Sequence, residues 1–168
     1  MRRLDGRSGG HPSERPLLDR LFDADPENRL DPPISAAESH AQLYRSVHRD
    51  VEALLNARRP WRSVPDRLSP LRLSPLGYGL PDFASGAFND RRQRELLRKE
   101  VEDTIRRFEP RLAEIQVHLV SEGNMLRTTL QLRIQALLRV RPAPEPILFD
   151  TIIDTTTADV TLSSLYGN

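Results

Sequence analysis

The sequence predicts an α+β fold in which two main amphipathic helices pack on one face of a small antiparallel sheet, behind a mobile N-terminal tail. Three observations carry that prediction. Apolar residues recur at the three-to-four spacing of a helix over residues 35–59 and again over 90–108. From residue 114 onward the period drops to two, the spacing of strands. The helical runs come first and the strand runs afterward, which leaves the strands to pair as antiparallel neighbours with the helices gathered on one face.

Residues 1–16 hold Gly6, Gly9, Gly10, Pro12 and Pro16 and almost nothing to bury, so a disordered tail is expected there. The short apolar patch LLDRLFD at 17–23 opens a docking segment, over 17–34, in which Leu17, Leu18 and Leu21 are candidates for anchoring the tail on a partner. Ser35-Ala36-Ala37-Glu38 has the spacing of a capping box and predicts a helix start. Leu43, Val47, Val51 and Leu54 or Leu55 supply its apolar stripe, with Arg45, Arg49, Asp50 and Glu52 opposite, until Arg59-Pro60 forbids continuation. Pro60, Pro65, Pro70, Pro75 and Pro81 then predict an irregular connection, with Trp61, Leu76, Tyr78, Leu80 and Phe83 to bury. Asp90 caps the second helix, whose apolar line is Leu97, Val101, Ile105 and Phe108 and which must stop before Pro110.

After that helix, Ile115, Val117 and Leu119 alternate with Gln116 and His118, and Glu122-Gly123-Asn124 predicts a hairpin turn. Between 126 and 140 the even-numbered Leu126, Thr128, Leu130, Leu132, Ile134, Ala136, Leu138 and Val140 face the core, and Arg127, Gln131, Arg133, Gln135 and Arg139 face water. A straight strand over 126–140 would reach about 50 Å, so a bend or bulge is expected within it. Ile147, Phe149, Thr151 and Ile153 alternate in the next strand, and Val160 and Leu162 add a short last one. The expected organisation is one α+β domain over 35–163, closed by a C-terminal tail over 164–168.

The 168 residues carry 25 Lys+Arg against 24 Asp+Glu, a balance that does not fit a nucleic-acid-binding surface. Lys99 is the only lysine, and arginine suits directional pairing with carboxylates. With no cysteine and four scattered histidines, neither thiolate chemistry nor a metal site is expected. The start MRRLDGRSGG lacks a secretory apolar run and no stretch reads as a membrane span, so a cytoplasmic chain without membrane insertion is expected. Gly77-Tyr78-Gly79 is no phosphate loop, no serine stands in a nucleophile elbow, and His118 reads as a solvated strand residue. No cofactor and no small-molecule substrate are expected.

Glu109-Pro110-Arg111 admits three readings: a helix stop, a contact surface and a catalytic carboxylate with its basic partner. Pro110 ends the helix. If the chain leaves extended, Glu109 and Arg111 lie on one side and can meet a complementary partner together, and an internal pairing is the competing possibility. Arg127, Arg133 and Arg139 offer a second contact stripe or a solvated strand face. A reversal of Arg111 to Glu, taken as an exposed site, is expected to change stability by no more than about 1 kcal/mol.

Five stretches in order, LLDRL at 17–21, LLNAR at 54–58, SPLGYGLPDF at 74–83, FEPRL at 108–112 and ILFDTIID at 147–154, resemble the TssE family of baseplate subunits of bacterial type VI secretion systems. That family is similar to wedge proteins of contractile phage tails and has carried a lysozyme-like label. Tyr78, Gly79, Leu80, Pro81 and Asp82, and Glu109, Pro110 and Arg111, match the family pattern most closely, and Phe83, Phe149 and Asp150 are further motif residues of these stretches. Ala57 and Pro75 depart from the usual pattern. The resemblance implies a non-enzymatic wedge component that meets the TssF and TssG subunits and sheath proteins, at the cytoplasmic face of the inner membrane. It associates the Glu-Pro-Arg motif with assembly contacts. The rival function is a peptidoglycan glycoside hydrolase acting through Glu109.

Overall fold

The computed structural model describes Leu21 and residues 35–59, 66–83, 90–120, 129–154 and 156–164. The expected tail, residues 17–20 and 22–34 of the docking segment, Trp61, the 122–124 turn and Arg127 lie outside the described residues. The chain divides into two compact units, Met1–Ser46 and Val47–Asn168, and the division falls inside the first helix.

That helix, α1, spans Ala36–Asn56. Ser35 caps it as predicted, its Oγ accepting from the Glu38 amide at 3.1 Å. Leu43, Val47, Val51, Leu54 and Leu55 are its buried apolar residues. The helix stops three residues before Pro60. Arg58–Arg59 instead form a short strand, β1, which pairs in parallel with β2, Leu80–Pro81. Within the proline-rich connection, Asp66–Leu73 and Pro75–Gly77 wind as 3-10 turns, which fits a segment whose prolines remove the amides an α-helix needs.

The second helix, α2, spans Arg91–Phe108, with Asp90 accepting from the Arg92 amide at 3.0 Å. Leu97, Val101 and Ile105 are buried on one side, as their spacing predicts. Four antiparallel strands follow in the order β3 Leu112–Leu119, β4 Thr129–Leu138, β5 Glu145–Asp154 and β6 Val160–Ser164. Even-numbered residues of β4 and β6 and odd-numbered residues of β5 point into the core, so Leu132, Ile134, Phe149 and Thr151 are all buried. Leu119, expected inside, is only half-buried.

The bulge expected in the long strand is elsewhere. β4 pairs with β5 without interruption from Thr129↔Asp154 to Leu138↔Glu145, and the register instead shifts in β3 between Ala113 and Gln116. Glu114 takes a positive φ of 49° there. An extra residue at the entry to β3 lets a chain leaving a helix cap settle into a regular ladder without disturbing the central pair. α2 packs on β3. The part of α1 within the second unit meets the same face of the sheet toward β5 and β6, with His48 edge-on to Phe149 at 5.8 Å and Asn56 bonded to Val160. The α+β architecture, helices on one face of an antiparallel sheet, is as the periodicities predicted.

Candidate functional site

The two motifs singled out by sequence, 78–83 and 109–111, come together beside α1. Phe108 is the last residue of α2, and the Glu109 amide still donates to Ile105 O at 2.9 Å, so Glu109 caps the helix. Pro110 and Arg111 then form a turn, closed by the Leu112 amide donating to Glu109 O at 3.1 Å. The chain therefore does not leave in the extended form that would project acid and base outward together. Glu109 is 4% exposed and Arg111 folds back onto it.

Arg111 donates from its backbone amide (3.2 Å) and from Nε (2.6 Å) to Glu109 Oε1, and from Nη2 to Oε2. The same Nη2 donates to Asp50 Oδ2 at 2.7 Å, and the Asp50 Oδ1 atom accepts from Arg49 Nε at 3.1 Å. One guanidinium thus joins the end of α2 to α1 through two carboxylates. Burial alone would lower the Arg111 pKa, but its hydrogen bonds to Glu109 and Asp50 outweigh it and raise it above the usual arginine value. Asp50, assigned by periodicity to a wet helix face, is the residue that sequence reasoning missed. Nothing local signals it, because its partner is 61 positions away.

Tyr78 packs edge-on against Phe108, with ring centroids 5.4 Å apart. Burial first, and then the charges of Asp50 and Glu109, push its phenol above the ordinary value of 10.0. The expectation that the aromatics of 78–83 plug the core is corrected here. Tyr78 stays 38% exposed, Phe83 is half-buried, and the plug is Leu80, 2% exposed, with Pro81 buried beside it. Gly79 makes the approach possible. Its φ is +92° and a Cβ would stand 2.4 Å from Ala57 O, the atom to which the Leu80 amide donates at 2.9 Å. Asp82 is exposed.

The remaining sequence candidates are dispersed. Leu21 is 79% exposed, whereas Leu17 and Leu18 lie outside the described residues. Arg133 sits opposite Asp150 in the β4–β5 ladder and donates to it from Nε at 2.7 Å and from Nη2 at 3.2 Å, which places the motif residue Asp150 in a cross-strand pair. Arg139 is exposed, and its amide donates to Arg111 O at 2.8 Å. Among the described residues, no group of three or more His, Asp or Glu is placed to hold a metal ion. No described helix is long and apolar enough to cross a membrane. A small pocket bounded by Arg58, Leu80, Pro81, Phe83, Leu97, Ile153, Ala158 and Val160 has about 10 Å³ of room, enough for one water-sized sphere, and contains neither Glu109 nor Asp50.

Glu109, the acid of the 109–111 motif, is thus held in an internal ion pair with Arg111. The family model for baseplate wedge protein gp25 matches residues 41–143, a span that includes Asp50, Tyr78, Glu109 and Arg111, and the chain belongs to that family. No significant match was found among curated proteins or among solved structures. The resemblance to baseplate wedge subunits drawn from the five stretches agrees with the family match, and with it goes a structural part in a phage-tail-like baseplate.

Proposed function

We propose that this chain is a non-enzymatic wedge component of a type VI secretion baseplate, bridging TssF- and TssG-like subunits and starting assembly of the contractile sheath at the cytoplasmic face of the inner membrane. The observation that supports it best is the family match over 41–143 combined with the fate of the Glu-Pro-Arg motif. Both oxygens of Glu109 are taken by Arg111. A glycoside hydrolase needs two carboxylates facing a sugar, one of them kept protonated. Here the second nearby carboxylate, Asp50, lies on the same guanidinium.

In this reading the motif works at assembly by shaping a corner of the domain. The exposed Pro110 and the one-quarter of Arg111 left open form the part a partner meets, and Arg133 and Arg139 contribute a second contact on the outer sheet face. Leu17, Leu18 and Leu21 anchor the 17–34 segment on a wedge partner. The direct test is co-purification with TssF-like, TssG-like and sheath proteins. Arg139→Glu is expected to weaken recovery of those partners while leaving stability within about 1 kcal/mol, as befits an exposed site. Unchanged recovery removes Arg139 from the interface. A peptidoglycan turnover activity that disappears in Glu109→Gln would overturn the structural reading altogether.

A further inference from the structure

α2 carries four carboxylates, and an arginine engages each of them. Glu95 pairs with Arg98 at 2.6 Å, Glu102 with Arg98 at 2.9 Å and with Arg106 at 2.7 Å, Asp103 with Arg106 at 3.0 Å, and Glu100 with the buried Arg59 of β1. The same network ties the helix to the sheet, because Arg98 Nη1 also donates to Val117 O at 3.1 Å. Arg92 and Lys99 stand outside it. Both are exposed, and neither side chain has an ionic or hydrogen-bonding partner among the described residues.

Between them stands Leu96, 51% exposed on the side of α2 turned away from the fully buried Val101 and Ile105. Steps of four and then three residues put Arg92, Leu96 and Lys99 in one row along the helix, the rhythm with which one helix receives another. Nothing within the helix favours this row. Arg91 and Arg92 open α2, whose first turn beyond the Asp90 cap holds no acid, so their cations meet the positive end of the helix dipole, where a carboxylate is the stabilising choice. Every acid that could offset Arg92 and Lys99 from within α2 already serves another arginine. A carboxylate from outside the chain would complete the row.

We propose that the Arg92–Leu96–Lys99 row receives an acidic amphipathic helix of a partner protein, with carboxylates against Arg92 and Lys99 and an apolar side chain against Leu96. Charge complementarity selects that occupant. A second copy of α2, in either direction, would set cation against cation. Nucleic acid and anionic bilayers present unbroken negative charge, and the exposed Glu95 and the part-exposed Asp103, which flank the row, repel it. The proposal goes beyond the wedge reading and does not depend on it, since the row lies toward the start of α2 and the Glu-Pro-Arg corner at its end.

The test titrates the full chain with a synthetic helical peptide carrying Glu-x-x-x-Leu-x-x-Glu, and with the same peptide bearing Lys in place of both Glu. The acidic peptide is expected to bind the wild-type chain, and Arg92→Glu is expected to weaken that binding at least about tenfold. Raising the salt from about 0.05 to about 0.5 M is expected to weaken it by a similar factor, and Leu96→Ser by about fivefold. The lysine peptide is expected to bind Arg92→Glu/Lys99→Glu and not the wild-type chain, an exchange that damage to the fold would not produce. Arg92→Glu is also expected to melt no lower than the wild-type chain, because it places an acid in the first turn of α2. Failure of the acidic peptide to bind at millimolar concentration overturns the proposal, as does equal binding by wild type and Arg92→Glu or by wild type and Leu96→Ser. A lower melting temperature for Arg92→Glu, or tighter binding of duplex DNA or of phosphatidylserine vesicles than of the acidic peptide at the same salt, overturns it as well.

Discussion

Arg111 carries more structural weight than its partial exposure suggests. Its guanidinium neutralises a Glu109 side chain that is only 5% exposed and reaches Asp50 on another helix. The expectation of a change within about 1 kcal/mol on reversing Arg111 is therefore corrected. Arg111→Glu leaves three carboxylates together with one of them buried, and breaking such a pair typically costs about 3 kcal/mol. Chemical denaturation checks the figure, and adding Glu109→Gln to the reversed variant is expected to recover part of the loss, because it removes the buried unpaired charge. The same cluster gives a pH signature at Tyr78. Its phenol titrates above 10.0 in the folded chain, so the fold holds that proton more tightly than the unfolded chain does. The associated stability is complete below pH 10 and is lost as pH rises through the folded value. Melting temperatures of the wild-type chain should thus fall more steeply above pH 10 than those of Tyr78→Phe, and parallel curves would show that neither burial nor the two carboxylates hold the phenol proton.

At the scale of elements, the parallel β1–β2 contact turns a proline-rich connection into part of the framework. It rests on Gly79, where no side chain fits against Ala57 O. Arg59, buried beside it, pairs with Glu100 of α2, so the end of α1, the 78–83 loop and α2 share one junction. Gly79→Ala combines a left-handed backbone conformation with a backbone collision and is expected to destabilise by more than about 1 kcal/mol. A thermal melt with unchanged midpoint would show that the β1–β2 contact gives way at no cost. The strands themselves were legible from their period: Ile147, Phe149, Thr151 and Ile153 are buried as their alternation requires. The displaced bulge was not legible. Alternation says which face a residue takes, whereas a bulge depends on how a strand is entered, and β3 is entered from the cap at Glu109 through the turn at Pro110 and Arg111.

Across the whole molecule, the sheet's central pair, β4 with β5, is the longest uninterrupted register and lies entirely in the second compact unit. A chain shortened to begin at Ser35 is accordingly expected to keep the slowly exchanging amides of β4 and β5. Loss of that protection would mean that the first 34 positions take part in holding the sheet. The same shortened chain separates folding from assembly, since the proposed anchor of Leu17, Leu18 and Leu21 is gone while the Asp50–Arg111–Glu109 junction remains. The two sheet edges bear on assembly too. A strand added to β6 by any partner meets α1, whose Asn56 and Glu52 side chains bond that edge, and one added to β3 meets the arginines of α2.

By itself, the amino-acid sequence determined the type, the order and the core-facing side of the two long helices and of β3 to β6, because these follow from spacing and from local capping chemistry at Ser35, Asp90 and Pro110. It also determined the family resemblance through its five ordered stretches. Only the tertiary structure decided what the polar residues do. Asp50 and Glu52 look alike in sequence, two acids on the wet side of one helix. Yet one binds a guanidinium 61 positions away and the other seals a strand 110 positions away. Periodicity reports how a side chain is turned relative to its own element, and a polar group's partner is chosen by whatever the folded chain brings opposite it.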